Sequence, residues 1–329
     1  MKAVVIGLGS MGKRRVRLLK QYDPTIALLG IDSSPERCEE SRSLYGVEIC
    51  ADLHEAVEKG AECAFVCASP LAHHSIIMDC LNHGLHVFTE LNVVSDGYDE
   101  MQCTAQEQNR VLFLSSAFLY RAEIQYIKRR VRETGGKFNY FYHVGQYLPD
   151  WHPWENYQNF FVADKRTNGL REVLVREFPW LTETFGDVVS WKAEANKVTD
   201  LELNYPDTYL MTLTHADGTK GMYMMDLAAR KSVIHLEVFN EHLYLTWDGT
   251  PTGLAEYDYE EKKDVPITVY ESFEHNENYS RTIIEDVYVD EIRMFFDQIQ
   301  NGTKPEYDFA KDQKVLNVLD EIEEALLNA

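Results

Sequence analysis

The sequence predicts a two-domain chain, in which an α/β domain with a doubly wound parallel sheet precedes an α+β domain built on a large open antiparallel sheet. Over the first third of the 329 residues, apolar runs alternate with segments of helical periodicity, as in a parallel sheet covered by helices. Beyond about residue 120, runs of alternating polarity follow one another without helices between them, which indicates antiparallel pairing. The predicted domains are 1–118 and 119–329, with the last helix able to pack back on the first domain.

The individual elements follow from hydrophobic period and from turn residues. Predicted strands cover 2–7, 26–31, 63–68, 85–89 and 111–115, then 137–147, 187–198, 207–215, 219–227, 231–239, 242–248 and 265–270. Predicted helices cover 11–21, 35–44, 52–58, 72–83, 95–108, 123–133, 283–300 and 309–327. Asp217-Gly218 lies between two of the strands and is a strong hairpin signal.

The first 32 residues carry a glycine motif in the order strand, turn, helix, strand, acid. The run Ala3–Ile6 leads into Gly7-Leu8-Gly9-Ser10-Met11-Gly12, and a second strand ends on Asp32, 20 residues past the last glycine. Gly7 permits a tight turn, Gly9 allows the backbone to approach a pyrophosphate, and Gly12 allows the helix to pack closely on the strand. The helix N-terminus offers N–H groups and partial positive charge. The motif predicts a dinucleotide site, whereas a glycine-rich turn in another fold leaves Asp32 unexplained.

Asp32 also predicts which dinucleotide binds. Its carboxylate can accept both hydroxyls of the adenosine ribose. It would repel a 2′-phosphate by about 4 kcal/mol per charge pair at contact, at an effective dielectric of about 20. A tenfold change in affinity is about 1.4 kcal/mol, so NAD is expected over NADP. Arg37 can soften this preference, and Ser33 can contact a ribose or a phosphate.

Composition excludes several classes of function. A formal net charge of −22 argues against binding to nucleic acid or to anionic membrane surfaces. The apolar run after Lys2 is too short for a signal peptide, and no stretch approaches a membrane span, so a cytosolic protein is expected. The six cysteines are scattered without a CxxC spacing and should stay reduced. Neither cysteine nor histidine spacing indicates a metal site.

Three further segments, with the glycine motif, resemble the glucose-fructose oxidoreductase / inositol dehydrogenase / MocA (Gfo/Idh/MocA) family. Ser69–His74 is similar to the family's TPxxxH turn, Leu81–Glu90 to its ALxxGKHVxxEKP segment, and Asp308–Ala310 to the start of its last helix. The resemblance spans essentially the whole chain. It implies a Rossmann domain plus an α+β domain, and oxidation or reduction of a sugar or cyclitol hydroxyl by a nicotinamide cofactor. It also implies cofactor contacts from Ser69, Pro70, His74, Glu90 and Asn92.

The chain differs from this family at the positions of the family's lysine and histidine, which are the residues expected to transfer protons. The family's EKP is Glu90-Leu91-Asn92 here, and leucine cannot replace a lysine that contacts the substrate hydroxyl. In the segment similar to the family's SHELD helix, Arg176 replaces the proton-carrying histidine and Pro179 the following acid. Arginine stays protonated and is a poor base. A narrower similarity of residues 146–157 is to members linked to nonulosonic-acid sugar biosynthesis.

Hydride transfer from an alcohol needs a base and donors that hold the sugar. The remaining candidates are Glu90, Arg176, Glu177, His152 and Lys165. Glu90 is predicted to end a strand at the cofactor crevice, or else to cap the next segment. Arg176 can clamp an anionic sugar bidentately, or else pair with Glu172 or Glu177.

The other candidates lie in predicted loops. His152 is flanked by Trp151 and Trp154 in an aromatic loop that suits sugar stacking, a subunit contact or a folded loop core. Lys165 can reach a site or simply be solvated.

The sequence therefore predicts an NAD-dependent oxidoreductase acting on a CH–OH group of a sugar or sugar derivative. Two alternatives stay open: a catalytically degenerate NAD-binding sensor or scaffold, and an enzyme that uses tightly bound NAD transiently. The expected partners are a small sugar or sugar phosphate and further copies of the chain, in a homodimer or homotetramer. The broad sheet of the second domain presents a large face that, if apolar, must be covered.

Overall fold

A six-stranded parallel sheet forms the N-terminal third of the computed structural model, which describes residues 1–153, 155–273 and 282–327. Its strands are β1 (Lys2–Ile6), β2 (Ala27–Ile31), β3 (Glu48–Ile49), β4 (Cys63–Val66), β5 (His86–Thr89) and β6 (Leu112–Leu114). Their order is β3-β2-β1-β4-β5-β6, and every pair is parallel. This is the doubly wound order, in which strands are added on one side of β1 up to β3 and on its other side from β4 onward. The predicted fold class of this domain is confirmed.

Helices connect these strands, as the periodicity predicted. They are α1 (Ser10–Tyr22), α2 (Pro35–Tyr45), α3 (Leu53–Glu58), α4 (His73–Asn82) and α5 (Tyr98–Glu107). The sequence analysis missed β3, because a strand of two residues is too short for any polarity pattern to repeat.

The chain divides into two compact units, Met1–Ser116 with Tyr288–Gln313, and Ala117–Val287 with Lys314–Ala329. Residues 288–313 thus belong with the parallel sheet, whereas the sequence analysis placed them in the second domain. Aromatic rings explain this assignment. Phe295 makes edge contacts with Phe65 and Phe88 at centroid distances of 5.4 and 5.7 Å, and Phe296 stacks on Tyr22 at 5.3 Å. Both phenylalanines are at most 1% exposed.

The second unit is built on an eight-stranded sheet. Its strands are β7 (Asn139–Gly145), β8 (Val188–Asn196), β9 (Thr208–His215), β10 (Lys220–Asp226), β11 (Val233–Phe239), β12 (Tyr244–Trp247), β13 (Ala255–Asp258) and β14 (Lys263–Pro266), in the order β14-β13-β12-β11-β7-β10-β9-β8. The sheet is mixed, because β7 and β10 pair in parallel while the other pairs are antiparallel. Alternating polarity does not distinguish the two pairings, which is why the sequence predicted antiparallel pairing throughout.

Among the described residues, two α-helices lie wholly in the second unit, α6 (Ala122–Thr134) and α7 (Gly169–Phe185). The chain ends with α8 (Asp286–Asn301) and α9 (Phe309–Leu327). Tyr142, Tyr223 and Trp247 are at most 1% exposed and form the buried face of the sheet. Strand alternation places Leu210 and Met222 on the opposite face, where they are 45% and 59% exposed.

All six cysteines are free thiols. Among the helices of the described residues, we find none long and apolar enough to cross a membrane.

Candidate functional site

The glycine turn between β1 and α1 has the geometry that its three glycines predict. Gly7 has φ of +91°, and a Cβ there would lie 2.7 Å from the Cys67 carbonyl oxygen. A Cβ on Gly12 would lie 1.8 Å from the Gly7 carbonyl oxygen. At Gly9, by contrast, the nearest described atom is Arg37 Nη1, 3.8 Å away. Gly7 and Gly12 are therefore required by packing, while Gly9 leaves open space above the turn.

Helix α1 begins directly at this open space. Gly9 is its N-cap, and no side chain of the described residues caps the helix. The N–H groups of the first turn lack intrahelical acceptors in any α-helix, so this end suits an anion. Ser10 is exposed and Leu8 is fully buried. The Met11 sulfur accepts a hydrogen bond from Arg14 at 3.3 Å. The arrangement fits a pyrophosphate.

Asp32 closes the turn from the end of β2. Its Oδ2 accepts the Leu8 N–H at 2.6 Å, and its Oδ1 accepts the Ser34 N–H at 2.7 Å. Arg37 Nη1 lies 4.0 Å from Oδ2, with the arginine side chain 50% exposed and that of Asp32 4% exposed. Ser33, beside Asp32, is exposed. The first unit thus brings the glycine motif, Asp32 and Arg37 together.

The remaining predicted cofactor contacts follow β4 and β5. Ser69 precedes a short 3-10 helix, Pro70–Ala72, and Pro70 is buried in it. His74 Nε2 lies 2.9 Å from Glu100 Oε2 at the surface. The roles of these residues toward a cofactor stay predictions.

Asn92 is held by a buried histidine. His73 Nε2 lies 3.0 Å from the Ala68 carbonyl oxygen, and its Nδ1 lies 2.5 Å from Asn92 Oδ1. Burial lowers the pKa of His73, so the ring is neutral near pH 7 and carries one N–H. That N–H donates to Ala68, so Nδ1 must accept. Asn92 Nδ2 is buried with no hydrogen-bond partner in the described part of the chain, and we therefore assign the flipped amide, with Nδ2 donating to Nδ1.

Glu90 is part of a buried charged cluster, Arg15–Glu90–Glu291. Arg15 Nε lies 2.5 Å from Glu90 Oε1, and Arg15 Nη2 lies 3.2 Å from Glu90 Oε2 and 2.9 Å from Glu291 Oε2. The guanidinium also lies over the Phe88 ring, 4.4 Å from its centroid. The Arg15 side chain is fully buried. This geometry gives Glu90 a structural role and disfavours its predicted role as a base.

The cluster holds two carboxylates for one guanidinium. Burial opposes the charge on Arg15, but Glu90 and Glu291 outweigh it and raise the pKa of Arg15. Burial also raises the pKa of Glu291, which accepts hydrogen bonds from Ser115 Oγ at 3.0 Å and the Ser116 N–H at 2.5 Å. The sequence carried a signal for this cluster, since Arg15 lies three residues after Gly12 and four before Leu19 on the buried side of α1.

In the second unit, Glu177 is saturated by hydrogen bonds. Its Oε1 lies 2.9 Å from both Nε and Nη2 of Arg176, and its Oε2 accepts Tyr142 Oη–H at 2.6 Å and Trp180 Nε1–H at 2.8 Å. The Glu177 side chain is fully buried. We therefore assign it the structural alternative, an anchor between α7 and the sheet. Pro179 lies inside α7, and Thr182 Oγ1 donates to its carbonyl oxygen at 3.0 Å.

Arg176 and Glu172 lie one turn apart on α7. The Arg176 side chain is 41% exposed, and its guanidinium lies over the Phe118 ring, 5.1 Å from the centroid. One carboxylate oxygen of Glu172 is buried with no hydrogen-bond partner among the described residues. Burial raises the pKa of Glu172 to about 7, although Arg176 opposes this shift. The sequence analysis treated Glu172 only as an ion-pair partner; its spacing of four residues from Arg176 was the available signal.

His152 and Lys165 lie in the loops before α7. The His152 ring makes an edge contact with Phe160 at 4.9 Å, and both line a small cavity with Leu148, Trp151, Glu155 and Tyr157. Lys165 Nζ lies 3.4 Å from the Leu327 carbonyl oxygen at the surface. Trp154, also predicted in this loop, lies outside the described residues. The catalytic roles of His152 and Lys165 stay predictions.

The turn, the acid and the strand order define the first unit as a Rossmann domain of the dinucleotide-binding class. Residues 1–116 match the family model GFO_IDH_MocA, described as an oxidoreductase family with an NAD-binding Rossmann fold. This domain is therefore similar to the NAD-binding domain of the Gfo/Idh/MocA oxidoreductases, and the resemblance read from the motifs is confirmed. The narrower link to nonulosonic-acid sugars stays a prediction. No curated protein matches this sequence.

Solved structures share the fold of the whole chain. UDP-N-acetylglucosamine 3-dehydrogenase of Acidithiobacillus ferrooxidans is 16% identical, with a TM-score of 0.77, over 100% of this chain and 98% of that one. Biliverdin reductase of Synechocystis sp. PCC 6803, with biliverdin and NADP+, is 17% identical, with a TM-score of 0.75, over 99% and 98%. Levoglucosan dehydrogenase, with NADH and levoglucosan, is 14% identical, with a TM-score of 0.81, over 99% and 96%. At these identities the likeness establishes the fold.

Proposed function

We propose that this protein is a nicotinamide-dinucleotide-dependent oxidoreductase that acts on a CH–OH group of a sugar or sugar derivative. The glycine turn carries this proposal: it leaves open space at Gly9, beside an uncapped helix end and Asp32. Structural neighbours that include two enzymes with sugar names support the substrate class. The turn and α1 hold the pyrophosphate, and Asp32 orients the adenosine ribose, which favours NAD.

When bound, the nicotinamide would supply hydride transfer to or from the alcohol carbon. The chain must then supply a group that takes up the hydroxyl proton. We propose Glu172 for this role, because its carboxyl has a pKa of about 7 and a buried oxygen without a partner among the described residues. Arg176, one turn away, is proposed to hold the substrate through its partly exposed side chain. This replaces Glu90 and Glu177 as the proposed proton carriers.

The function is tested by turnover. Purified protein is incubated with NAD and a panel of sugars, uronic acids and sugar phosphates, and reduction of the nucleotide is followed by absorbance. Turnover with exchangeable NAD supports the oxidoreductase. Nucleotide binding without turnover of any compound in the panel favours the sensor or scaffold. Leu91 in place of the family's lysine supports that alternative. A nucleotide that copurifies and never exchanges favours transient use.

Glu172→Gln is expected to lower kcat/KM by about 10²- to 10⁴-fold, the usual contribution of a positioned acid–base group. In the wild type, kcat/KM for alcohol oxidation should rise with pH through about 7, as Glu172 loses its proton. Glu172→Asp keeps a carboxyl and should keep this pH dependence at a lower rate. A Glu172→Gln variant with the wild-type rate and pH profile would exclude Glu172 as the base.

The raised pKa of Glu172 also predicts how the stability of the fold depends on pH. A carboxyl whose folded-state pKa is raised stabilises the fold while protonated, and this contribution is lost as pH rises through about 7. Glu172→Gln should therefore remove this loss and raise the melting temperature relative to the wild type at pH 8 more than at pH 5. The difference between the two pH values tests whether Glu172 is buried with a raised pKa, and the test needs no substrate.

We also propose that the protein is a homodimer in the cytosol, built on the exposed face of the eight-stranded sheet. Met222 lies opposite Phe141 on β7, and Leu210 lies opposite Met224, so apolar side chains are adjacent across three strands of this face. Such a face favours a self-complementary contact. Six free thiols fit a reducing compartment.

Met222→Glu is expected to convert the dimer to a monomer, because it places two charges in a contact repeated by symmetry. Light scattering coupled to gel filtration gives the mass. Val198→Glu is the matched control, since Val198 is also 59% exposed but lies in the loop after β8. A wild-type monomer, or equal masses for both variants, would contradict this interface.

A further inference from the structure

The loops between β7 and α7 enclose a small pocket whose walls are mostly aromatic. Its lining includes the rings of Trp151, His152, Tyr157 and Phe160, together with the carboxylate of Glu155. Phe160 meets the His152 ring edge-on at a centroid distance of 4.9 Å, and Trp151 Nε1–H donates to a carbonyl oxygen of the same loop at 3.3 Å. The space between these groups is about the size of one water molecule. The pocket therefore admits a single small group.

Glu155 gives the pocket a negative charge that the protein does not neutralise. The residue is exposed, and within the described ranges its side chain has no hydrogen bond or ion pair. No lysine or arginine is among the described lining residues. The polar atoms of two rings already have partners, since Trp151 Nε1–H is bonded and Tyr157 Oη accepts the Glu202 N–H at 3.2 Å. What remains for a ligand is the π system of the rings and a carboxylate, and both attract a cation.

An ammonium group is the cation that fits this space. It is close to water in size and carries three donors, whereas the pocket offers mainly acceptors. A guanidinium or a quaternary ammonium is larger than the space available. The formal net charge of −22 also favours the approach of cations to this protein.

The pocket adjoins the start of α7, the helix that carries Glu172. Leu148 lines the pocket, and its Cδ1 lies 3.6 Å from the position of a Cβ on Gly169, the first residue of α7. Tyr205 Oη accepts the Gly169 N–H at 3.2 Å. Burial raises the pKa of Tyr205 to about 12, and Glu172 and Tyr157 both add to this shift. The pocket and the proposed base thus lie within electrostatic range of the same ring.

We infer that the pocket of Trp151, Tyr157, Phe160 and Glu155 binds the protonated primary amine of an amino-sugar substrate. The inference rests on the proposed function and narrows its substrate class. The ammonium donates to Glu155, and its charge lies against the aromatic rings. An N-acetylated amine is neutral and larger, so the pocket excludes it.

Binding of a small amine tests the pocket without nucleotide. Methylammonium is titrated into the full chain at constant ionic strength and followed by tryptophan fluorescence, beside methanol and tetramethylammonium. Methylammonium should saturate the signal and bind at least about tenfold more tightly than either comparison compound, because methanol lacks the charge and tetramethylammonium exceeds the space. Glu155→Gln should weaken methylammonium by about 10- to 100-fold, as expected for a charge-assisted hydrogen bond. Phe160→Leu should weaken it by about 2- to 30-fold.

Glu241→Gln is the matched control. Glu241 is also an exposed carboxylate of the second unit, in the turn between β11 and β12, so its loss should leave methylammonium binding unchanged. Melting curves confirm that each variant is folded. The pocket is no ammonium site if the wild type shows no saturable binding of methylammonium, binds methanol equally well, or loses nothing in Glu155→Gln.

Turnover tests the substrate. With NAD, sugars that carry a free amine should be oxidised with a kcat/KM at least about tenfold above that of their N-acetylated counterparts, and Glu155→Gln should remove this preference. Equal rates for both forms would overturn the substrate assignment, even where methylammonium binds. If no sugar is oxidised, the proposed function fails and the substrate assignment fails with it, whereas methylammonium binding still decides whether the pocket takes an ammonium group.

Discussion

Gly12→Ala is expected to abolish dinucleotide binding and to destabilise the protein. A Cβ at this position would lie 1.8 Å from the Gly7 carbonyl oxygen, so helix α1 must move away from β1 or the turn must open. Overpacking of this kind commonly costs about 1–3 kcal/mol, and here the obstructing atom is backbone, which cannot rotate aside. Displacing α1 also removes the N–H groups that would face the pyrophosphate.

Gly9→Ala is expected to impair dinucleotide binding while leaving the stability of the fold unchanged. A Cβ on Gly9 meets only Arg37 Nη1 among the described atoms within 4 Å, at 3.8 Å, and the φ of −70° suits alanine. The melting temperature should therefore stay near the wild-type value, while the methyl group blocks the approach of a pyrophosphate. Calorimetric titration with NAD, beside thermal unfolding, distinguishes the two variants. If Gly9→Ala binds NAD as the wild type does, the turn is not the phosphate site.

Arg15→Met is expected to lower the stability of the first unit by about 3–5 kcal/mol. The change leaves Glu90 and Glu291 buried without their cation, and removing one partner from a buried ion pair has an effect of this size. Urea unfolding should show an earlier transition. Arg42→Met, at an exposed ion pair on α2, should change stability by less than about 0.5 kcal/mol.

The pH dependence of Arg15→Met has a definite sign. Burial already raises the pKa of Glu291 while Arg15 opposes this shift, so without the guanidinium this carboxyl must be protonated to stay buried. The deficit relative to the wild type should be small at low pH and grow as pH rises. The triple variant Arg15→Met, Glu90→Gln, Glu291→Gln should recover much of the loss. A deficit that does not vary with pH, and no recovery in the triple variant, would assign the effect to packing alone.

Local signals made the first unit predictable. The glycine motif is a contiguous segment. Gly7 and Gly12 are required by atoms within the same strand–turn–helix unit or just after the neighbouring strand β4, as at Gly7 beside Cys67. The hydrophobic period likewise predicted most strands and helices, because it is a pattern of residues close together in the sequence. The hairpin of β13 and β14 was poorly placed, because β13 is half-buried and β14 exposed along its whole length, so that burial does not alternate in either strand.

The candidate catalytic residues were less predictable, because their partners are distant in sequence. Glu90 is bound by Arg15, 75 residues earlier, and Glu177 by Tyr142, 35 residues earlier. No sequence pattern shows that such a carboxylate is already saturated. Conversely, Glu172 stands out only once burial and a missing partner are known. Residue type and position indicated where charges lie, but only the fold shows which of them remain available.

The pairing of β7 has a consequence for how the chain is made. This strand lies at the centre of its sheet, yet both of its neighbours come late: Asn139 pairs with Lys220 on β10, and Gly145 with Val233 on β11. A ribosome adding about 5–20 residues per second needs about 4–16 s to synthesise the roughly 80 residues between them. For that interval the tyrosine-rich central strand has neither hydrogen-bonding neighbour. Nascent chains stalled within this window are the species most exposed to aggregation and to capture by chaperones.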